Sequence, residues 1–338
     1  MKALFSISSG LYAGWAIGAN DTSGILGPAI GSKMLTFRPV AIICAFFMMA
    51  GAMFGGTGVT QVASSPALTA GDAFVVALSA ALGVTLMTLL RCPVSTVQAL
   101  TGAVIGWSIA SETALNAGNL TTLSLVWVVS PFLSAFLAVC LYKLVAALIK
   151  ALHVNIFKLD RMIRTGLFLA CAFASYQLGA NNIPATVGIF LPASPFVDLT
   201  LFGNISVSAE HQLLFLGGTA AAFGVFTWGR RMAEATGNGD FRFSSSPLMA
   251  MIAVLTQGLV FYLFTSQASG AFFTGHGLPA LPMVPLSGYQ CLVGAMMGLS
   301  FLNKGVTFSW RSAGFLTASW IATPALAFFG SYAALTVL

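Results

Sequence analysis

Two polar motifs lie inside long apolar stretches of this sequence, and both contain Gly-Ala-Asn. The first copy, residues 18–20, is followed by Asp21, and the second, residues 179–181, is followed by Asn182. A carboxylate at the centre of a membrane costs about 2.5 kcal/mol or more on insertion scales. Uncompensated amides at that depth are expensive as well. Two polar motifs of this kind, half a chain apart, predict a duplicated site that binds something polar.

The chemistry open to these motifs is that of a cation or an oxyanion site. Asp21 can hold a cation, accept a proton or cap the second half of a broken helix, and no Lys or Arg is predicted at its depth. Asparagine carbonyls suit a hard cation such as Na⁺, and asparagine amides suit an oxyanion. The coupling-cation candidates are therefore Asn20, Asp21, Asn181 and Asn182, with Asp21 and Asn182 as ligands of Na⁺.

A second duplicated element adds hydroxyl groups. Residues 93–108 (PVSTVQALTGAVIGWS) and 285–300 (PLSGYQCLVGAMMGLS) share Pro, Ser, Gln, Leu, Gly and Ala at matching places. Proline suits the first turn of a helix, where free N–H groups and the positive dipole end favour an anion. The alternative is that the serines only cap and the glutamines bridge helices. The substrate-binding candidates are Asn20, Ser95, Thr96, Gln98, Asn181, Ser287 and Gln290.

The composition predicts an all-α polytopic membrane protein. Of 338 residues, 58% are apolar and 7% are charged, against about 25% charged in soluble domains. The five cysteines and three histidines show no metal-ligand spacing, and no nucleophile or acid–base pair is visible. We therefore predict neither an enzyme nor a bound cofactor. The N-terminal residues lack a basic region and a small-residue cleavage site, which favours a first span over a cleaved signal.

Ten apolar segments divide into two repeats. Trp127 with Pro131 recurs as Trp320 with Pro324, a third match in the same order as the motifs above. We predict a first transmembrane repeat at 1–149, a cytoplasmic linker at 150–165 and an inverted second repeat at 166–338. The predicted crossings are 4–34, 39–62, 72–90, 92–111, 121–149, 166–191, 211–229, 247–267, 285–303 and 312–336.

Broken or re-entrant helices are expected at the motifs. Segment 4–34 is about 30 residues long and rich in glycine, which predicts a break near Asn20; segment 166–191, with Pro184, is expected to break as well. Inverted repeats with broken helices are typical of secondary transporters whose site lies near the bilayer midplane. The greater motif spacing in the second half predicts extra loop at 192–210 and 268–284.

The basic residues indicate orientation rather than a partner. With an external N-terminus, every basic cluster except Lys2 falls on the cytoplasmic side, as the positive-inside rule expects. The net charge of +6 is therefore explained by the orientation of the protein in the membrane and does not indicate a nucleic-acid partner. We expect both termini outside and a multi-pass protein of the cell inner (plasma) membrane.

The motifs resemble those of the inorganic phosphate transporter (PiT) family. WAIGANDTSGILGPAIG and FASYQLGANNIPATVG resemble its duplicated signature, and RCPVSTVQALTGAVIG resembles its PVST element. PLSGYQCLVGAMMG is a weaker copy of that element, and SWIATPALAFF resembles the last helix. The resemblance implies cation-coupled symport of an oxyanion, often by a homodimer, with the anion between the two kinds of motif and the cations around the first kind.

Departures from the family pattern concern the substrate and the coupling ion. Asn182 replaces the second carboxylate, Gln98 and Gln290 stand where the family has histidine, and Gly288 and Tyr289 replace threonines. Phosphate carries a proton that a carboxylate can accept, whereas sulfate carries none, so neutral donors favour sulfate. Phosphate coupled to Na⁺ or H⁺ is the first hypothesis, a sulfate permease the second, and an uncoupled anion channel or facilitator the third.

Overall fold

A computed structural model describes residues 2–56, 68–201, 205–237, 246–302 and 310–337. The first half contains α1 (Lys2–Ala16), a π-helical turn (Ile17–Asp21), α2 (Ser23–Gly31), α3 (Phe37–Gly55), α4 (Ala70–Leu89), α5 (Thr96–Ala110) and α6 (Ala117–Ala151). The second contains α7 (Ile156–Val187), a 3₁₀ turn (Gly188–Ala193), β1 (Leu199–Leu201), β2 (Ile205–Val207), α8 (Ala209–Gly224), a π-helical turn (Val225–Gly229), α9 (Arg230–Gly237), α10 (Pro247–Thr265), α11 (Gln267–Gly275), α12 (Gly288–Leu302) and α13 (Trp310–Val337).

The predicted helical membrane class is confirmed. Among the described residues, six helices are long and apolar enough to cross a membrane. They are α3, α4, α6, α8 with α9, α10 and α13. The apolar residues that remain exposed on these helices, such as Phe46, Phe132 and Ile321, form the surface that a bilayer covers.

Helices α5 and α12 are each too short to be a full crossing. They have 15 residues each, about 22 Å, against a hydrocarbon core of about 30 Å. Helix α5 follows the longer α4 through a connection that is buried at Cys92 and Val94. Helix α12 packs against the longer α10, with the short helix α11 inserted between them in the chain, and the connection enters α12 through the buried residues Val284 and Leu286. The predicted crossings 72–90 and 92–111 are therefore two arms of one hairpin, and so are 247–267 and 285–303. Of the broken or re-entrant helices that the sequence predicts, these two hairpins are the re-entrant kind.

Close backbone contacts hold helices from the two halves together. A Cβ at Gly18 would lie 1.8 Å from the Ala221 carbonyl oxygen, and one at Gly224 would lie 2.1 Å from that of Trp15. The same reciprocal approach joins α3 and α7, where a Cβ at Gly51 or at Gly179 would lie within 2 Å of a carbonyl of the other helix. These four positions admit only glycine at this helix separation.

The terminal helix of each half packs on the short helix of the other. Gly102 and Gly106 of α5 face the carbonyls of Pro324 and Phe328 on α13. In the same way, residues 294 and 298 of α12, both glycine, face the carbonyls of residues 131 and 135 on α6. Residue numbers rise together in both pairs, so the paired helices run parallel.

The expected breaks at the motifs take a milder form. Near Asn20 the helix makes one π turn, in which Thr22 N–H donates to the Ile17 carbonyl over 3.3 Å, and the chain then continues as α2. Helix α7 passes through Asn181 as a regular α-helix and changes to a 3₁₀ turn at Gly188, inside the segment 166–191 where a break is expected. Dense packing of α7 against α3 and α10 keeps it α-helical.

The predicted linker 150–165 is mostly helical. Helix α6 ends at Ala151 and α7 begins at Ile156, so four residues connect the halves. Asn155 caps α7 by accepting from Lys158 N–H at 2.8 Å, and Arg164 pairs with Asp160 at 3.3 Å on its exposed first turns. The expected extra segment 192–210 contains β1 paired antiparallel with β2, and 268–284 contains most of α11.

Candidate substrate and ion site

Asn20 holds the tip of the first hairpin. Its amide nitrogen donates to Thr88 Oγ1 at 2.8 Å and to the Cys92 carbonyl at 3.1 Å, and its amide oxygen accepts from Val94 N–H at 2.9 Å. The two backbone partners flank Pro93, which has no N–H of its own. Asn20 is fully buried, so these bonds fix the start of α5.

Asn181 makes the same set of bonds in the second hairpin. Its amide nitrogen donates to Thr265 Oγ1 at 2.9 Å and to the Val284 carbonyl at 3.0 Å, and its oxygen accepts from Leu286 N–H at 2.7 Å. The flanked residue is again a proline, Pro285. Both asparagine side chains were predicted as ligands for substrate and cation. In the structure both amides position the hairpin tips instead. The backbone groups beside each proline are buried and outside a helix, so they need hydrogen-bond partners from another segment.

Asp21 lies where the two halves meet. Its carboxylate accepts from Thr96 N–H at 3.3 Å, from Thr96 Oγ1 at 3.0 Å and from Asn182 Nδ2 at 3.2 Å. Among the described residues, no Lys, Arg or His lies within ion-pair distance of it. The carboxylate therefore caps the N-terminus of α5, the positive end of that helix, and not α2 as the sequence alternative supposed.

Asn182 leaves one oxygen available beside this carboxylate. Its Oδ1 atom is buried and has no hydrogen-bond partner in the described part of the chain. A buried carbonyl oxygen without a partner is costly by about 1–3 kcal/mol. Together with Asp21 it offers the oxygen ligands that a hard cation prefers. The donor set is of the kind that suits Na⁺, and Asp21 and Asn182 as its ligands stay a prediction.

Ser95 and Ser287 cap the two short helices. Ser95 Oγ accepts from Gln98 N–H, and Ser287 Oγ accepts from Gln290 N–H, each at 3.4 Å. The capping role that the sequence left open is thus present. Each hydroxyl still has its proton to donate, so capping and donation to an anion are compatible.

The two glutamines beyond these serines are buried at the same helix starts. Gln98 is 5% exposed and Gln290 is 7% exposed, and the Oε1 atom of each has no partner among the described residues. Within the described ranges, neither side chain forms the hydrogen bond between helices that was the alternative hypothesis.

Three further polar residues of the site were not singled out in the sequence. Thr88 and Thr265 accept the asparagine hydrogen bonds, and Gln257 lies fully buried in α10, where neither amide atom has a partner in the part of the chain that the structure describes. Gln257 could have been found, because it is the one glutamine in the apolar run Pro247–Thr265. The two threonines carried no such signal, since a helical threonine satisfies itself on the preceding turn, as Thr88 does with the Val84 carbonyl at 2.7 Å.

A polar site between two re-entrant hairpin tips, within a bundle of apolar helices, defines a membrane transporter rather than an enzyme. A model of the phosphate transporter family matches residues 17–331, and the chain belongs to that family. It is also similar over its whole length to a solved structure named "The sodium-dependent phosphate transporter", with a TM-score of 0.79 and 18% identity, covering 99% of this chain and 98% of the other.

Curated relatives carry two kinds of name. A "Putative phosphate permease" of Methanocaldococcus jannaschii is 25% identical over 94% of this chain and 91% of its own length. A "Sulfate permease" of Bacillus subtilis is 28% identical over 71% of this chain and 66% of its own length. Both names are those of anion permeases.

Proposed function

We propose that this protein imports inorganic phosphate across the plasma membrane by symport with Na⁺. The observation that carries the proposal is the junction of the two motif copies, where Asn182 of one half donates to Asp21 of the other at 3.2 Å. The Asp21 carboxylate and the Asn182 amide oxygen, which has no partner among the residues described, offer a cation site at that junction. The capped starts of α5 and α12, with Ser95 and Ser287, offer hydroxyl and backbone donors to an anion.

The two halves act in this proposal as inverted repeats, residues 1–149 and 166–338. Support comes from contacts that recur in both halves: the asparagine bonds around each proline, and the parallel pairing of each short helix with the other half's terminal helix. Such an arrangement lets one bundle rock against the other around a fixed site.

Sulfate is the second candidate substrate. The observation in its favour is the neutral residue at 182: Asn182 adds no second negative charge to repel a fully ionised anion, and its Nδ2 atom donates to Asp21. A relative named a sulfate permease shows that the family includes proteins with that name. Phosphate stays first because Asp21 remains to accept the proton that phosphate carries, and because the matched family is the phosphate transporter family.

Uptake into proteoliposomes tests the function. We expect radiolabelled phosphate to accumulate above its external concentration when an inward Na⁺ gradient is imposed, and not when K⁺ replaces Na⁺. Accumulation of sulfate instead would select the second candidate. Accumulation that follows an inward proton gradient without Na⁺ would assign the coupling to H⁺. Equilibration without accumulation under every gradient would refute symport and indicate a facilitator.

A further inference from the structure

Gln257 is a buried polar group that the contacts of the fold leave unexplained. It lies in α10, is 0% exposed, and neither its Nε2 nor its Oε1 atom has a hydrogen-bond partner among the described residues. Leaving an amide buried without partners costs about 1–3 kcal/mol per group, so native proteins rarely do so without a functional reason.

The amide points at the start of α12. A Cβ atom at Gly288, the first residue of that helix, would lie 2.8 Å from Gln257 Nε2. On the other side, a Cβ at Gly24 would lie 3.2 Å from the same nitrogen and 3.5 Å from Oε1. Gln257 therefore lies between α2 and the N-terminus of α12, with a glycine on each side that gives its amide room.

The first half has a different group at the equivalent place. Thr96 is the first residue of α5, as Gly288 is of α12, and its hydroxyl lies 3.0 Å from Asp21. The second half lacks that hydroxyl, and a threonine at 288 would have to displace the Gln257 amide. An amide on a neighbouring helix thus occupies the space where a side chain at 288 would lie.

We propose that Gln257 binds the transported oxyanion, with its Nε2 as donor in place of the hydroxyl that Gly288 lacks. This inference rests on the proposed function and names a residue of that same site outside the duplicated motifs. The ligand class is a tetrahedral oxyanion. Two N–H donors of an amide, together with the Ser287 hydroxyl and the first N–H groups of α12, match its oxygens. The amide oxygen can accept the proton of a phosphate, so both candidate anions fit.

Binding of labelled phosphate and sulfate to the purified full-length protein tests the proposal. Gln257→Met keeps the volume and removes both polar atoms. We expect it to lower the affinity for the anion by tenfold or more. The thermal midpoint without the anion should be unchanged or higher, because an unpaired buried amide is removed, whereas the stabilisation produced by added anion should fall.

Thr256→Val is the matched control. Thr256 is the neighbouring residue, is equally buried, and its hydroxyl already donates to the Ile252 carbonyl at 2.7 Å. This variant should bind the anion as the wild type does. Anion affinity within twofold of the wild type in Gln257→Met would overturn the proposal.

A charge substitution separates an anion ligand from a cation ligand. Gln257→Glu places a negative charge at the same position, and we expect anion binding to be lost. If Gln257→Glu instead strengthens Na⁺ binding and leaves anion affinity unchanged, the residue is a cation ligand and the proposal is overturned. A wild-type protein that binds neither phosphate nor sulfate would refute the proposed function itself. Equal anion binding by the wild type and by Gln257→Met would overturn only the role of Gln257.

Discussion

Asp21 is the residue on which coupling depends in the proposed mechanism. Its carboxylate is buried at the junction of the two halves and has no basic partner in the described part of the chain. We expect Asp21→Asn to abolish Na⁺-driven accumulation while the protein still folds, because an amide oxygen can still accept from Thr96. Proteoliposome uptake and thermal unfolding measure the two effects.

Asp72 provides the control for this prediction. It is the other capping carboxylate of the first half, and it accepts from Thr69 at the exposed start of α4. Asp72→Asn should leave accumulation intact. Full accumulation by Asp21→Asn would remove the carboxylate from the coupling mechanism and favour a facilitator.

The two capping serines are expected to contribute to anion affinity as well as to helix stability. Ser95→Ala and Ser287→Ala should each weaken anion binding by about 1–3 kcal/mol, the cost of leaving a buried partner unpaired. Equilibrium binding measures this effect.

Ser246→Ala provides the control. It removes a cap of the same type from α10, where Ser246 Oγ accepts from Met249 N–H at 3.3 Å. It should lower stability by about 0.5–2 kcal/mol without changing affinity. Unchanged affinity in both site variants would show that the serines only cap.

At the scale of elements, the hairpin tips depend on one asparagine each. Asn20→Ala removes three buried hydrogen bonds and leaves the Cys92 carbonyl and Val94 N–H without a partner. We expect a loss of about 3 kcal/mol or more in unfolding free energy, since each buried group left unpaired costs about 1–3 kcal/mol. Asn181→Ala should behave alike. Thermal unfolding in detergent measures both.

An exposed asparagine cap shows how much of that loss is specific. Asn116 caps α6 by accepting from Asn119 N–H at 3.2 Å on the surface. Asn116→Ala should cost about 1 kcal/mol. If Asn20→Ala and Asn181→Ala cost no more than this control, the asparagines do not hold the hairpins, and their amides would be available as ligands.

At the scale of the whole molecule, the orientation in the membrane remains a prediction from the basic residues. Helix α6 has 35 residues, about 52 Å, which is enough to separate the two sides. Asn116 lies before its start and Asn155 four residues past its end, and both are exposed helix caps.

A matched pair of cysteines tests this topology. In a background with the native cysteines replaced, we expect Asn116→Cys to react with a membrane-impermeant maleimide in intact cells, and Asn155→Cys to react only after permeabilisation. The reverse pattern would invert the predicted orientation, and labelling of both from outside would show that α6 does not cross the membrane.

The class of protein could be predicted from the sequence, and so could three residues that meet at the junction of the two halves. Apolar runs interrupted by an aspartate and by amides are informative because a membrane interior penalises such groups strongly. The motif order therefore identified the phosphate transporter family, and it identified Asp21, Thr96 and Asn182, which the structure brings together.

The use made of each polar group follows from packing between distant segments. Whether Asn20 binds an ion or a hairpin tip depends on which backbone groups lie near its amide. The backbone N–H of Val94 does so, although it is far away in the chain, and the sequence does not show that the two are close. The same holds for α5 and α12, whose turn back into the protein is fixed by these bonds and by close packing on the terminal helices. Gln257 acquires its position opposite Gly288 only through packing between helices that are far apart in the chain, because a buried amide has no periodic signature in sequence.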